Sequence, residues 1–294
     1  MVLPPSTTWT PTPEHLRQSG PARLVDHFGL SDYDALLRFA LAEPAAYWRG
    51  VGECCAFEWD IPPSTHVDLA HGREFPRWFP GARLNWVKSV LAWTTRAGGA
   101  ARLAVIDERE DGRIDSVDYA ELAQRVTRAA AALSRDGIRA GDRVGLLMEN
   151  GLTATVSFLA IAAVGAIVVP LFSGFGADAV VARLAAAGAR LLIASPSFER
   201  RGRTVDLEQV VRAAWPRLPT LERVLWHTHA PATVRDAARE ALLADWTDDR
   251  ATVAFDWPAF DADHPFMLIH TSGTTGKPKG IVHTHGGFPL KIAH

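Results

Sequence analysis

Apolar and polar positions fall into blocks whose period changes along the chain. The longest apolar block, LTATVSFLAIAAVGAIVVPLF, runs from Leu152 to Phe172 without a charge, long enough for a membrane span. Gly165 divides it: helix formers precede the glycine, and the β-branched run Ile167-Val168-Val169 follows, closed by Pro170. A short apolar run, Val144 to Met148, stands just before it. Strand, helix and strand at this spacing predict a βαβ unit rather than a membrane span, uniformly apolar because a parallel sheet is covered on both faces.

Comparable blocks flank this unit. Strands are predicted at Leu103–Asp107 and Ile114–Val117. Asp118 then opens D-Y-A-E, a capping box with Glu121, before a helix that Gly137 ends. Downstream come a helix over Asp178–Ala187 stopped by Gly188, a strand Arg190–Ala194 and a short helix Glu208–Ala214. A strand Val224–His227, a helix Pro231–Leu243 and a last strand Met267–His270 complete the pattern. The alternation defines an α/β class with mostly parallel sheets and flanking helices, and no internal repeat is visible. Before residue 100 the pattern is less regular. Residues 1–23 are rich in Pro, Ser and Thr and read as an extended arm. Ser31-Asp32-Tyr33-Asp34 offers a helix cap, and a short helix is predicted from Pro44 through Tyr47-Trp48.

Residues 56–86 interleave Trp59, Trp78 and Trp86 with Pro62, Pro63, Pro76 and Pro80. Such aromatics suit base stacking on a single-stranded nucleic acid, or an irregular segment pinned to a neighbouring domain. Charge favours the second: 31 Lys and Arg against 33 Asp and Glu leave a net charge of −2, no bulk field for nucleic acid or an anionic membrane. The 294 residues are 48% hydrophobic, enough for one large or two ordinary domains. This composition excludes a disordered, collagen-like or coiled-coil chain. Adjacent Cys54 and Cys55 suit neither a structural disulfide nor a zinc site and read as half-buried apolar residues in a reducing compartment. With Pro4, Pro5, Pro11 and Pro13 interrupting the start, no signal peptide is expected, and the location reads as cytoplasmic.

The candidate chemistry sits at residues 266–280, F-M-L-I-H-T-S-G-T-T-G-K-P-K-G. An apolar strand runs directly into glycines, hydroxyls and lysines, a composition suited to a polyphosphate. Glycines let main-chain N–H groups approach oxygens closely. Thr271, Ser272, Thr274 and Thr275 supply hydroxyl donors, and Lys277 and Lys279 supply compact positive charge around Pro278. It is not a Walker A loop, because Gly273 and Gly276 enclose only two residues and Lys277 precedes Pro278. The plainer alternative is a surface hairpin. His270, His283 and His285 flank the segment, His283 and His285 spaced as on one face of a strand. No cysteine or adjacent carboxylate completes a metal site.

T-S-G-T-T-G-K-P-K-G followed by I-V-H-T-H-G-G closely resembles the phosphate loop of the AMP-forming adenylating enzymes, which include acyl-CoA synthetases and peptide-synthetase adenylation domains. Within them the chain is similar to the acetyl-, propionyl- and acetoacetyl-CoA synthetase branch. That resemblance rests on Trp78-Phe79-Pro80-Gly81-Ala82-Arg83-Leu84-Asn85, on Phe172 to Ala179, and on Arg183-Leu184. It implies an N-terminal extension over residues 1–100 and the first part of an AMP-binding domain over 101–294. It also implies a two-step ligation: a small-molecule carboxylate attacks the α-phosphate of Mg2+-bound ATP, and CoA then displaces AMP. Thr271, Ser272, Gly273, Thr274, Thr275, Gly276, Lys277 and Lys279 would hold the β- and γ-phosphates. Arg200, Arg201, Gly202 and Arg203, matching an R-x-G-R of the branch, would meet the 3′-phosphate of CoA, Arg200 and Arg203 chiefly. His283 is a structural member of the motif.

In that family the acyl pocket, adenine segment, magnesium-binding Glu, ribose-binding Asp and adenylation lysine all follow the loop. The sequence therefore reads as an incomplete N-terminal domain of an adenylate-forming enzyme, without a catalytic residue of its own. By itself it is expected to lack adenylation activity and to be poorly soluble. The alternative is a non-catalytic remnant or phosphate-binding module.

Overall fold

A computed structural model describes residues 11–228, 234–247, 254–271 and 278–293. The chain enters through four helices, α1 (Pro13–Gln18), α2 (Gly20–His27), α3 (Tyr33–Ala42) and α4 (Pro44–Cys54). The described part of the expected extended arm is thus helical. Thr12 accepts the His15 N–H at 3.2 Å and Ser19 accepts the Ala22 N–H at 3.3 Å, each with a proline at the first or second helical position. A hydroxyl cap followed by proline is a helix start that composition alone takes for a linker. Asp32 caps α3 as predicted, accepting the Ala35 N–H at 2.8 Å, while α4 runs on past Trp48 to Cys54.

Short strands β1 (Val67–Asp68), β2 (Arg77–Trp78) and β3 (Arg83–Leu84) lead to α5 (Trp86–Leu91). A hairpin of β4 (Leu103–Glu108) and β5 (Ile114–Asp118) precedes α6 (Tyr119–Arg135). Asp118 caps α6 by accepting the Glu121 N–H at 2.8 Å, but the Glu121 carboxylate pairs with Arg125 one turn on rather than completing a capping box. Then follow β6 (Arg143–Leu147), α7 (Leu152–Ala163), β7 (Ile167–Pro170), α8 (Ala177–Ala187), β8 (Leu191–Ala194), β9 (Ser197–Arg200), β10 (Arg203–Asp206) and α9 (Leu207–Ala214). The chain continues through β11 (Arg223–Trp226), β12 (Glu240–Leu242), α10 (Leu243–Thr247), β13 (Phe260–Asp261), β14 (Pro265–Thr271), β15 (Lys279–Thr284) and α11 (Phe288–Ala293).

Seven strands form one sheet in the order β12-β11-β8-β6-β7-β14-β15, parallel throughout except for the β14–β15 pair. Val144, Val168, Leu191, Ile193 and Leu225 point into one core with α6 and α7. Leu147, Val169, Leu192, Val224 and Trp226 point into a second core with α8 and α9. Both faces are therefore buried, which is why the sequence around the βαβ unit carries no polar alternation. Gly165 separates α7 from β7 at φ +77°, and a Cβ there would lie 2.4 Å from the Phe260 ring, so the break needs glycine for conformation and for space. No helix among the described residues is long and apolar enough to cross a membrane.

Two predicted boundaries fail. Residues 231–233 lie outside the described residues, and from residue 234 the expected helix Pro231–Leu243 gives way to turns and then to β12. Glu240 is only 4% exposed and accepts from Arg212 Nη1 at 2.8 Å and from the Arg235 N–H at 2.8 Å. This pairing fixes the segment beside β11 and overrides the helix propensity of A-A-R-E-A-L-L. Met267–His270 is also not the last strand, because β15 follows and forms the sheet edge with Ile281 and Val282 exposed.

The aromatic segment seals the helical entry against the sheet. Trp86 packs 5.2 Å from Phe266 and 6.3 Å from Phe158, ring centre to ring centre, and β3 pairs with β13. Asn85 is fully buried, and its Nδ2 donates to the carbonyls of Ala163 at 2.8 Å and Pro258 at 3.0 Å. Removing the amide strands both acceptors away from water, so Asn85→Ala is expected to lower the unfolding free energy by about 2–3 kcal/mol. The urea midpoint at constant m reads this, and an unchanged midpoint would contradict it.

Candidate functional site

Thr271, which opens one of the two segments singled out in the sequence, and the whole of the other lie at the carboxyl edge of the parallel sheet, the edge where open α/β sheets bind ligands. The carboxyl end of β14 leads to the glycine-rich segment. Thr271 and Lys279 are cross-strand partners, the Thr271 hydroxyl lying 3.5 Å from the Lys279 carbonyl, and both side chains are exposed. Ser272, Gly273, Thr274, Thr275, Gly276 and Lys277 lie outside the described residues. Lys279 and Gly280, expected within the loop, belong to β15: Ile281 and Val282 pair with Ile269 and Leu268 and carry the ladder back to Lys279. In the strand before the loop Met267 is buried and Ile269 is 38% exposed.

The flanking histidines do different things. His270 points to the α8 side, with Nδ1 buried and without a partner among the described residues; burial, aided by the nearby Arg183 charge, lowers its pKa. His283 packs 4.4 Å from the Phe288 ring, and burial lowers its pKa too. His285 lies beyond the end of β15, not on its face. It is fully buried among Phe260, His264 and Phe266, and among the described residues neither ring nitrogen has a hydrogen-bond partner. Burial, with the neighbouring His264, pushes its pKa down to about 3. Among the described residues no three His, Cys, Asp or Glu side chains converge on a metal position.

The second segment forms a hairpin beyond the carboxyl end of β8. Arg200 and Arg203 face each other across β9 and β10, joined by Arg201 at φ 54° and Gly202 at φ 68°, the paired left-handed conformation of a two-residue turn. The Glu110 carboxylate, from the β4–β5 turn, accepts the N–H groups of Arg201 at 2.7 Å and Gly202 at 3.2 Å. Those two bonds hold its pKa below the usual carboxylate value. All four residues of the tetrapeptide are exposed, and among the described residues no carboxylate pairs with the Arg200 or Arg203 side chain. Instead the Arg200 guanidinium lies 5.3 Å above the ring of Phe172, itself 55% exposed. Sequence reasoning missed Glu110, which stands 91 residues from the turn it holds, and no local signal marks it.

A cleft of about 380 Å³ opens beside this hairpin. The strand order turns back here: the chain goes from β6 to β7 on one side, then returns to β8 on the other. Glu149, following β6, accepts the Ser195 hydroxyl at 2.5 Å, and Asp107 accepts the Leu152 N–H at 3.0 Å at the start of α7.

A mostly parallel sheet with helices on both faces, with Thr271 and a basic hairpin on its carboxyl edge, is an open α/β domain. The chain belongs to the AMP-binding enzyme family, whose model matches residues 93–291; the acetyl-coenzyme A synthetase N-terminus model matches residues 33–90. It is 34% identical over 265 residues to the acetyl-coenzyme A synthetase of Streptomyces avermitilis, covering 87% of this chain and 39% of that protein. It is 36% identical over 244 residues to the acetyl-coenzyme A synthetase of Mycolicibacterium smegmatis, covering 83% and 26%. Among solved structures, acetoacetyl-CoA synthetase from Streptomyces lividans superposes with a TM-score of 0.85 at 27% identity, covering 97% of this chain and 44% of that one. The chain thus spans about two fifths or less of the length of these curated relatives.

Proposed function

We propose that the chain is the ATP-phosphate and CoA-nucleotide portion of an AMP-forming acid–thiol ligase acting on a short-chain carboxylic acid. In the first step a carboxylate oxygen bonds to the α-phosphorus of ATP, the α–β bridging P–O bond breaks, and pyrophosphate leaves. In the second the CoA thiolate attacks the acyl carbon and AMP departs with the bonding pair. The observation that supports this reading is that the carboxyl end of β14, which leads into the glycine-rich segment, and the β9–β10 hairpin share one sheet edge. Thr271, Ser272, Gly273, Thr274, Thr275, Gly276 and Lys277, with Lys279 beside them, would hold the β- and γ-phosphates and compensate charge on the leaving pyrophosphate. Magnesium enters with ATP as part of that substrate. The division into an N-terminal extension over 1–100 and an AMP-binding portion over 101–294 belongs to the same proposal. So does a cytoplasmic location, which the half-buried side chains of Cys54 and Cys55 suit.

Arg200 and Arg203 would take the 3′-phosphate of CoA, with Phe172 offering an aromatic face beside them. Free guanidinium groups without carboxylate partners bind phosphate with little competition. Arg203→Ala is expected to raise the KM for CoA roughly tenfold in a thioester-forming assay. The KM for dephospho-CoA, which lacks the 3′-phosphate, should barely move. Equal effects on both thiols would reject the assignment.

A further inference from the structure

Two arginines stand opposite each other in the β9–β10 hairpin, Arg200 and Arg203. Like charges directly across a ladder repel, and the turn between them adds a second cost. Arg201 sits at φ 54°, a left-handed conformation in which an L residue's Cβ crowds the following carbonyl. Strain of this kind persists only where the surrounding structure enforces it.

The enforcement comes from two sides. At the root of the hairpin, Phe198 and Val205 pair two positions below the arginines, on the same face, and both pack against the core of α8 and α9. At the tip, the Glu110 carboxylate accepts the N–H groups of Arg201 and Gly202, one on each oxygen. Successive N–H groups in a turn form a concavity suited to an anion, and Glu110 is the anion that fills it. Asp111 and Asp115, on the same β4–β5 hairpin, are engaged within it by Arg113 and Arg109, whereas Glu110 reaches across. With the turn amides filled, a phosphate arriving at the tip meets the guanidinium groups rather than the main chain.

We propose that Glu110 is a positioning residue for CoA: by bracing the strained turn it holds Arg200 and Arg203 opposed, so that both reach one 3′-phosphate. The inference rests on the CoA reading of this hairpin given above. The sign of the effect separates a brace from a charge. A carboxylate repels phosphate, so a purely electrostatic role predicts tighter CoA binding once the charge is removed. Loss of a brace predicts weaker binding.

The test is titration calorimetry of CoA and dephospho-CoA against wild type, Glu110→Gln, Arg203→Ala and the double variant. Gln keeps the length of the side chain but offers one acceptor oxygen and no charge. Glu110→Gln is expected to weaken CoA binding about fivefold and dephospho-CoA binding by less than about twofold. Beside Arg203→Ala the same substitution is expected to cost less than about twofold, because the brace acts through that arginine. Arg201→Asn supplies a rescue, since Asn-Gly is the pair favoured where both turn residues are left-handed; in that background Glu110→Gln is also expected to cost CoA less than about twofold. CoA binding that is unchanged or tighter in Glu110→Gln, or weakened equally for both thiols, overturns the proposal and leaves the CoA reading standing. So does a loss that persists in full beside Arg203→Ala or Arg201→Asn. A wild type that binds CoA and dephospho-CoA alike overturns the 3′-phosphate reading itself, and the proposal with it.

Discussion

Replacing Thr274, Thr275 and Lys277 together by Ala is expected to weaken ATP binding by at least about a hundredfold while leaving CoA binding within about twofold. The three side chains contribute two hydroxyl donors and one ammonium, all assigned here to the same pair of phosphates. A hydrogen bond to a charged acceptor contributes about 1.5–3 kcal/mol, so losing even two accounts for the factor. The substitutions fall between β14 and β15, whose ladder from Pro265–Thr284 to Thr271–Lys279 is closed without them, so the frame should survive. Titration calorimetry with ATP and with CoA reads the two affinities separately. Unchanged ATP affinity would remove the glycine-rich segment from the phosphate site.

Acidification from pH 6.5 to pH 4 is expected to cost about 3 kcal/mol of stability through His285 alone. The imidazole is fully buried among aromatic rings, and burial, with His264 beside it, depresses its pKa to about 3. In the unfolded chain the same group titrates near 6.5. Between those values the unfolded state binds a proton that the folded state refuses. Stability therefore falls with pH at up to about 1.4 kcal/mol per unit, complete above 6.5 and levelling near 3. His285→Leu removes this slope, and because it also removes two unpaired buried nitrogens, it should not destabilise the protein at pH 7. Urea unfolding of both proteins at pH 7, 5.5 and 4 measures the difference. Parallel pH profiles would show that His285 is protonated or solvated in the folded protein.

The parts of the fold that were legible in the sequence are those where local pattern and tertiary demand agree. The βαβ unit around Gly165 reads directly because β6 and β7 are apolar on both faces and glycine is required at the turn. Where a distant partner decides, the pattern misleads. The predicted helix through Glu240 yields to a strand because Arg212, 28 residues earlier, holds that carboxylate in the core. Prolines in the first residues signalled a linker, yet Pro13 and Pro21 stand at helix starts prepared by Thr12 and Ser19. The candidate site divides the same way. Its glycines, hydroxyls and basic residues are compositional and visible, whereas β15 and the Glu110 brace exist only once the sheet brings its carboxyl edge together.

Hydrogen exchange of the protein alone, with magnesium and ATP, and with CoA tests the central assignment most directly. ATP is expected to slow the amides of residues 271–280 and leave those of 197–206 unchanged, and CoA is expected to do the reverse. Slowing of neither segment, or of the same segment by both ligands, would contradict the division of the sheet edge into an ATP-phosphate site and a CoA site.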